Sequence, residues 1–302
     1  MPGPAILVHG GCGNPSGGTI EHEPDYHQAL SEAVLAAAAT LTAGAGALGA
    51  AQAAVARLED SPIFNAGRGS VLTSDGTVEM DAAIVCGRTG RVGSVAALTT
   101  VRHPIALARE VMENTPDVML VGAGAERLAE ERGLERRDPA WFVTNRQLER
   151  LRRAQEGRAH EDAGDTPIGT VGAVVLDADG ALAAATSTGG RRGQAPGRVG
   201  DSPIVGAGTY ADGHVAVSAT GNGEAMVALC GAHEVSALVR HAGLDLAAAC
   251  RTVVQDRVGP LGGEIGLIAL DAEGSFAMPF DTTLMHRGWK IGDGPVETAV
   301  FR

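Results

Sequence analysis

The chain has 302 residues, of which 44% are hydrophobic and 20% charged, and it contains 43 glycines. A chain of this size can bury a full core without disulfides or metal ions, and it is too apolar to be a disordered protein. Its formal net charge of −12 excludes an extended basic face for nucleic acid, because binding of the phosphate backbone depends on clustered Lys and Arg.

The cysteine pattern and the N-terminal sequence bear on cellular location. Cys12, Cys86, Cys230 and Cys250 are widely spaced without a CxxC pair, so we expect neither a zinc site nor a disulfide framework. No apolar span is long enough for a membrane helix, and no basic region precedes the first apolar segment. We therefore expect a cytoplasmic protein that does not interact with membranes.

Helical stretches rich in Ala and Leu alternate with short apolar runs along the chain. The periodicity predicts helices over 25–42, 47–59, 103–113, 118–132, 223–241 and 244–257. Turn sequences containing Asp and Gly, flanked by aliphatic residues, predict hairpins at 74–76, 177–180 and 271–274. Antiparallel hairpins with helices grouped outside them predict an α+β domain in which two sheets stack between helical layers.

The segment from about 147 to 169 differs from the rest of the chain. It is crowded with Arg, Glu, Asp and Gly and carries few apolar residues after Leu151, which predicts a mobile linker. The segment leads directly into Gly169, Thr170 and a strong strand over 171–176. A linker followed at once by a core strand suggests chain processing, but an exposed loop is an equally good local interpretation.

A threonine at a new N-terminus has chemistry that an internal threonine lacks. Its hydroxyl is a poor nucleophile without an adjacent base, and the free α-amino group supplies that base. An α-amino pKa of about 7.7 to 8.0 leaves roughly a tenth of the amines neutral at pH 7. Gly169 would let the backbone adopt a strained conformation in which the Thr170 hydroxyl attacks the preceding carbonyl. Taken alone, a Gly-Thr pair before a strand is usually a turn.

Five motifs decide between these interpretations. TSTGG at 186–190, GRVGDSP at 197–203 and SATGNGE at 218–224 follow Thr170, while HGGCG at 9–13 and FNAGRGS at 64–70 precede it. In order and spacing they closely resemble the plant-type L-asparaginase and isoaspartyl peptidase family of N-terminal-nucleophile hydrolases. Many coinciding motifs are far more specific than any one of them.

The resemblance implies a fold and a processing event. The fold is a four-layer αββα sandwich, in which two stacked antiparallel sheets are flanked by helices. The single domain, 1–302, is cut between Gly169 and Thr170 into an α subunit, 1–169, and a β subunit, 170–302. The family assembles as a homodimer of processed pairs, a heterotetramer of subunits.

The resemblance also implies catalytic roles. Thr170 matches the nucleophile, and Thr188 matches a second threonine that orients or assists it. The Thr220 hydroxyl and the Gly221 backbone N–H match the oxyanion hole, which donates to the charge that develops on the amide oxygen. Asn65 matches a residue that supports the nucleophile from the other fragment.

Substrate and ion binding follow in the same way. Arg198 and Asp201 match the clamp on the substrate's α-carboxylate and α-amino groups, and their chemistry agrees, since an Arg fork suits a carboxylate and Asp suits an ammonium. Gly221 also borders the substrate, and the Gly223 carbonyl completes the ammonium pocket. We expect no catalytic cofactor. A structural sodium ion is expected on backbone carbonyls of one loop: Leu58, Glu59, Ser61, Phe64, Ala66 and Arg68.

Other signals have weaker interpretations. Thr166 is a rival nucleophile, because DTxG marks the cut in glycosylasparaginases, but Thr170 lies 18 residues before Thr188, as the family requires, and Thr166 lies 22 before it. G-x-G-x-x-G at 44–49 follows a helix instead of a strand, so we interpret it as an inter-helix turn. His9 is either a structural residue near the site or a satisfied core histidine.

Two further groups of polar residues fit no site. Glu21, His22, Glu23, Asp25 and His27 have ligand types without a recognisable metal spacing and are interpreted as a solvated loop. His233 and His241 lie on a predicted helix and are interpreted as packing or surface residues.

The predicted function is hydrolysis of the side-chain amide of L-asparagine and of β-aspartyl dipeptides through a covalent β-aspartyl intermediate. A glycosylasparaginase-like amidase is the alternative within the fold, and the HGGCG opening disfavours it. A catalytically silent binding module is the alternative outside enzymes, and the intact threonines, Arg198 and Asp201 speak against it. The sequence leaves open the preference between asparagine and isoaspartyl dipeptides.

Overall fold

A computed structural model of the chain describes residues 3–14, 22–156 and 169–301. The first six strands are β1 (Ala5–Gly13), β2 (Met80–Cys86), β3 (Val92–Leu98), β4 (Met119–Val121), β5 (Val171–Leu176) and β6 (Leu182–Thr188). The remaining strands are β7 (Thr209–Ala211), β8 (Val215–Gly221), β9 (Ile265–Asp271), β10 (Phe276–Ala277), β11 (Leu284–Ile291) and β12 (Glu297–Phe301).

These strands form two sheets. The larger has eight strands in the order β12-β11-β1-β5-β6-β2-β3-β4, and the smaller has four in the order β10-β9-β8-β7. Pairing is antiparallel throughout except between β3 and β4 at one edge of the larger sheet, which is parallel. The prediction of two antiparallel sheets therefore holds apart from this edge pair.

Helices cover the outer face of each sheet. The first six are α1 (Glu23–Thr42), α2 (Gly46–Glu59), α3 (Pro104–Asn114), α4 (Gly122–Glu131), α5 (Pro139–Phe142) and α6 (Asn145–Gln155). The last three are α7 (Gly223–Leu229), α8 (Gly231–Ala242) and α9 (Leu246–Arg251), followed by π-helical residues Thr252–Val258 and a short 3-10 turn. None of the helices in the described part of the chain combines the length and hydropathy needed to span a bilayer.

Three apolar layers result from this arrangement. Helices α1 to α3 pack on the larger sheet through residues such as Leu30 and Leu58, and α7 to α9 pack on the smaller sheet through residues such as Val235. Leu7 and Ile268 belong to a third layer, between the sheets. The α+β, four-layer αββα architecture expected from the motifs is confirmed.

Strand alternation directs the side chain of Thr170, which immediately precedes β5, into the space between the sheets. Successive side chains on a strand point to opposite faces. Ala173 and Val175 lie in the helix-covered core, whereas Val174 and Leu176 lie between the sheets. Thr170 has the same parity as Val174, so its side chain faces the smaller sheet.

Most predicted helices are present, with corrections at two of them. The predicted helix 118–132 begins only at Gly122, because Met119–Val121 form strand β4 on β3. The predicted helix 223–241 is interrupted at Cys230, whose φ of 50° separates α7 from α8. The hairpins at 177–180 and 271–274 connect β5 to β6 and β9 to β10, as predicted.

The predicted hairpin at 74–76 is a turn without flanking strands. Thr73 and Thr77 close the turn by a backbone bond of 2.9 Å, but the neighbouring backbone pairs with a distant loop, since Ser74 N donates to Gln194 O. Local turn chemistry was correctly recognised, and the pairing partner was wrong.

The mobile linker predicted from about 147 to 169 is wrong at its start. Residues up to Gln155 belong to helix α6, which begins where the Thr144 side chain accepts from Gln147 N. Gln147 and Leu151 are buried on one side of the helix, and Gln147 Nε2 donates to Gly69 O at 2.8 Å. A strongly charged helix with a narrow buried stripe resembles a linker in composition. The remainder of the predicted linker, residues 157–168, lies outside the described residues, and so does Thr166.

Candidate active site

A cavity of about 330 Å³ opens between the two sheets at the ends of β6 and β8. Of the residues predicted for catalysis, cleavage and substrate binding, seven line it: Asn65, Gly169, Thr170, Thr188, Arg198, Asp201 and Gly221. The two others, Thr220 and Gly223, are buried neighbours of Gly221 along the chain. Motifs separated by more than a hundred residues therefore meet in one place.

The hydroxyls of Thr170 and Thr188 form a direct pair. Their residues are 8% and 2% exposed, and Thr170 Oγ1 donates to Thr188 Oγ1 at 3.0 Å. Thr188 Oγ1 also accepts from the backbone N–H of Gly190 at 3.0 Å. The hairpin register, with Val171 opposite Ser187, places these two side chains side by side. Thr188 Oγ1 is thereby held as the acceptor of the Thr170 hydroxyl, an arrangement that suits a hydroxyl nucleophile.

The peptide preceding Thr170 packs against strand β1. A Cβ added at Gly11 would lie 2.2 Å from Gly169 N, and Gly11 has a φ of 103°, which favours glycine. The pairing of β1 with β11 is irregular between His9 and Cys12, where the strand bends around this contact. The second glycine of the HGGCG motif therefore allows the backbone before the nucleophile to approach closely.

The predicted oxyanion donors lie at the end of β8. Thr220 is fully buried, and within the described residues its Oγ1 has no hydrogen-bond partner. Gly221 has a φ of 118°, and a Cβ there would lie 2.0 Å from Glu264 O. Only glycine fits this position, which leaves the backbone at 221 facing the cavity. A buried hydroxyl without a partner is available to donate to developing charge.

The Arg198 guanidinium is held on the wall of the cavity by Glu224. Arg198 Nε lies 3.2 Å from Glu224 Oε1, and Nη2 lies 3.0 Å from Oε2. A Cβ at Gly223 would lie 2.7 Å from Asp201 Oδ1 and 3.1 Å from Arg198 Nη2, so this glycine lets both charged groups approach the start of α7. Sequence reasoning missed Glu224, although it lies within the TGNGE motif.

Asp201 is a buried carboxyl next to Arg198. Burial raises its pKa to about 6, against the opposing effect of the Arg198 charge. An ionised Asp201 therefore lacks sufficient compensation from the protein itself. A bound cation would supply that compensation.

Asn65 serves the site through the backbone. Its Oδ1 accepts from Val71 N at 2.8 Å, and its Nδ2 donates to Gly190 O at 2.8 Å. Asn65 thereby fixes Gly190, whose N–H in turn binds Thr188 Oγ1. The expected support of the nucleophile is indirect in this structure.

Asp81 is a second buried carboxyl that sequence reasoning missed. It is 1% exposed, lies opposite Thr188 in the pairing of β2 with β6, and accepts from Ala97 N at 2.9 Å. Burial raises its pKa to about 7, while Ala97, Arg198 and Gly200 lower it. The available signal was an acid in the otherwise apolar strand sequence MDAAIV.

The loop expected to hold sodium is folded around two glycines with positive φ. A Cβ at Gly67 would lie 2.4 Å from Glu59 O, and a Cβ at Gly69 would lie 2.6 Å from Pro62 O and 2.8 Å from Phe64 O. The Pro62 and Phe64 carbonyl oxygens thus both lie close to Gly69, and carbonyl oxygens are ligands that a hard cation prefers. Of the predicted ligands, Glu59 O also accepts from Arg68 N at 2.8 Å.

The remaining polar signals lie away from the cavity. Residues 44–49 include the turn between α1 and α2, as interpreted from the sequence. His22 pairs with Asp25, and His27 with Glu23, at the start of α1. Glu21 is outside the described residues, among which no three His, Cys, Asp or Glu side chains meet as a metal site. His233, on α8, packs against Tyr210 with ring centroids 5.1 Å apart, and His241 lies near the end of the same helix.

Comparison with known proteins gives full-length similarities. The family model described as Asparaginase matches residues 2–300. A protein of Escherichia coli (strain K12) named isoaspartyl peptidase is 45% identical over 98% of this chain and 96% of its own length. A probable isoaspartyl peptidase/L-asparaginase of Arabidopsis thaliana is 38% identical over the whole of both chains. A plant-type L-asparaginase of Pyrobaculum calidifontis is 43% identical over 94% of this chain and 96% of its own.

The raised pKa of Asp201 predicts a stability cost at neutral pH. Its folded pKa of about 6 exceeds the ordinary value of 3.8, so the folded chain binds the proton more tightly. The free energy of unfolding therefore falls as the pH rises from the ordinary pKa of 3.8 to the folded pKa of about 6. We expect Asp201→Asn to raise the free energy of unfolding, measured with urea, by on the order of 2 kcal/mol at pH 8. At pH 4 the same substitution should change this free energy little.

Asp177→Asn is the matched control for this measurement. Asp177 Oδ1 accepts from Asp179 N and Ala181 N in the β5–β6 turn, so this variant should lose stability at pH 8. An Asp201→Asn variant that is less stable than the parent at pH 8 contradicts the prediction.

Proposed function

Because the chain belongs to the asparaginase family, which it matches over residues 2–300, we propose that it hydrolyses L-asparagine and β-aspartyl dipeptides at the side-chain amide. The chain is a hydrolase, since its full-length relatives are named isoaspartyl peptidase and L-asparaginase. The observation that carries the assignment to this site is the 3.0 Å contact between the Thr170 and Thr188 hydroxyls, in a cavity that Arg198 and Asp201 also line.

The charged groups of the cavity suit one kind of substrate head group. Asparagine and β-aspartyl dipeptides share a free α-carboxylate and a free α-ammonium, and they differ only in the amine that leaves from the β-carbonyl. The Arg198 fork suits the carboxylate, and the buried Asp201 suits the ammonium, which would stabilise the ionised carboxyl. Recognition of the shared head group is the reason that one site can serve both substrates.

Self-cleavage comes first in the proposed mechanism. Thr170 Oγ1 attacks the carbonyl carbon of Gly169, and the peptide C–N bond breaks as the nitrogen takes a proton. The resulting ester between Gly169 and the Thr170 oxygen is hydrolysed by water. The products are the Gly169 carboxylate and a Thr170 with a free α-amino group, in fragments 1–169 and 170–302.

Substrate hydrolysis then uses the new amine as base. The amine takes the Oγ1 proton as the oxygen attacks the β-carbonyl carbon, and the Thr220 hydroxyl and Gly221 N–H donate to the oxyanion. The amine returns its proton to the leaving nitrogen, which departs as ammonia or an amino acid. Water, activated by the same amine, hydrolyses the β-aspartyl ester and releases aspartate. Thr188 orients Oγ1 throughout.

A structural sodium ion and a dimer of processed pairs complete the proposal. The two carbonyl oxygens of Pro62 and Phe64 beside Gly69 support an ion in this loop. The ion would order the chain from the end of α2 to Asn65 and would have no part in the chemistry. The dimer rests on family resemblance and stays a prediction.

Replacement of Thr170 tests the nucleophile. Thr170→Ala removes the attacking oxygen, so we expect neither fragments on a denaturing gel nor aspartate released from β-Asp-Leu. Thr170→Ser keeps a hydroxyl at the same place and should retain both activities at reduced rates. Cleavage that persists in Thr170→Ala would refute the assignment and return Thr166 as the candidate.

Replacement of Arg198 separates substrate binding from self-cleavage. The loss of a charge-assisted pair with the α-carboxylate is expected to raise KM for asparagine by roughly 10- to 100-fold, with self-cleavage intact. Glu224→Gln serves as the control that retains the guanidinium, and its KM should change less. Loss of cleavage in Arg198→Ala contradicts a role confined to substrate.

Removal of sodium tests the ion site without an activity assay. An ion that binds only the folded chain stabilises it by mass action, so the unfolding temperature should fall when choline replaces sodium at equal ionic strength. Gly67→Ala, which would place a Cβ against Glu59 O, should abolish this difference. Equal unfolding temperatures for the parent chain in the two salts would exclude a structural sodium ion.

A further inference from the structure

A row of hydrogen-bonded polar side chains crosses the core between the two sheets. His9 Nε2 lies 2.9 Å from Ser218 Oγ, which lies 2.7 Å from Thr186 Oγ1. Thr209 Oγ1 lies 2.6 Å from Thr186 Oγ1 and 2.9 Å from the carbonyl oxygen of Ser202. The four side chains are fully buried. We refer to His9, Ser218, Thr186 and Thr209 as the inter-sheet chain.

Its members lie next to the active-site residues along the sequence. Thr186 is two positions before Thr188 on β6, and Ser218 is two positions before Thr220 on β8. Because strand side chains alternate, residues two apart lie on the same face of the strand. His9 is likewise two positions before Gly11, which contacts Gly169.

Strand β5 is adapted to the same chain. Gly172, two positions after Thr170, lies opposite His9 in the pairing of β1 with β5. A Cβ there would lie 2.0 Å from Ser218 Oγ and 2.4 Å from His9 Nε2. Because position 172 is a glycine, there is space beside β5 for the hydrogen bond between His9 and Ser218.

The inter-sheet chain carries no charge. The single hydrogen of the Thr209 hydroxyl has two acceptors within reach, Thr186 Oγ1 at 2.6 Å and the carbonyl oxygen of Ser202 at 2.9 Å. Burial lowers the pKa of His9 to about 3, although a hydrogen bond with the Thr170 backbone raises it, so the imidazole is neutral.

We propose that the inter-sheet chain is a positioning device, which sets Thr170 and Thr188 on the larger sheet at the correct distance from the Thr220 oxyanion donor on the smaller one. Apolar packing between sheets is non-directional, whereas hydrogen bonds constrain distance and angle. A displacement of about 1 Å between nucleophile and donor is enough to slow catalysis by roughly 100-fold. The kinetic part of this inference rests on the proposed function.

Two single variants and their combination test the inter-sheet chain. Ser218→Ala removes its centre, and Thr186→Val removes a hydroxyl at nearly constant shape. Each is expected to lower kcat for asparagine by roughly 10- to 100-fold, with KM within about twofold, because the clamp is untouched. Thr186→Ser should restore most of kcat. The kcat of the double variant should be little lower than that of either single variant, since both substitutions act through the same inter-sheet chain.

Ser236→Ala is the control for the loss of a buried hydroxyl elsewhere. Ser236 lies on α8 and is not among the residues that line the cavity. Its Oγ donates to Asp212 Oδ2 at 2.5 Å. This variant should lose thermal stability to a similar degree while keeping kcat. A kcat decrease in Ser218→Ala that is matched by Ser236→Ala would mean general destabilisation and would overturn the proposal, as would a kcat within twofold of the parent.

Self-cleavage supplies a second readout. Fragment formation over time on a denaturing gel, with kcat expressed per cleaved Thr170, separates maturation from turnover. A folded variant whose self-cleavage is slower than that of Ser236→Ala supports the proposal, even if cleavage does not go to completion. A variant that matches the parent in both the cleavage rate and kcat refutes the proposal. If the parent protein cleaves itself but hydrolyses neither substrate, the proposed function fails. The self-cleavage rates of the variants then still test the role of the inter-sheet chain.

Discussion

The hydrogen bond between Thr170 and Thr188 is the contact on which the site depends. It exists because β5 and β6 form a tight antiparallel hairpin, closed by the Asp177–Gly180 turn, that sets the two threonines side by side. Neither hydroxyl has unusual chemistry in isolation. Their proximity is the basis on which we propose Thr170 as the nucleophile and Thr188 as its orienting partner.

Charge in the cavity is arranged at some cost to the fold. Asp201 and Asp81 are both buried with raised pKa values, and Arg198 is the cation that acts on each of them. Arg198 is further shared with Glu224. Burial of two carboxyl groups beside one shared cation disfavours their ionised forms, and a ligand that carries an ammonium would offset this cost at Asp201. In the proposed function, this incomplete compensation favours binding of an α-amino acid head group.

Several glycines act by leaving space for other parts of the chain. Gly11 admits the backbone of Gly169, Gly172 admits the His9–Ser218 bond, and Gly223 admits Asp201 and Arg198. In each case a Cβ would lie within 3 Å of another atom. This close approach explains one glycine in the HGGCG motif, Gly11, and one in the SATGNGE motif, Gly223. Their function appears only when the distant strand or loop is in place.

The sequence by itself predicted an α+β domain, because periodicity and turn chemistry are local properties. The motifs carried a resemblance to one family, and that resemblance implied the four layers and the pairing of Thr170 with Thr188. The sequence did not determine helix α6, whose charged composition resembles a linker, or Asp81, which is an isolated acid in an apolar strand. Nor did it reveal the bond between His9 and Ser218, which are 209 positions apart. Only the tertiary structure decided these features, since pairing across sheets depends on the relative placement of whole strands, which no local pattern encodes.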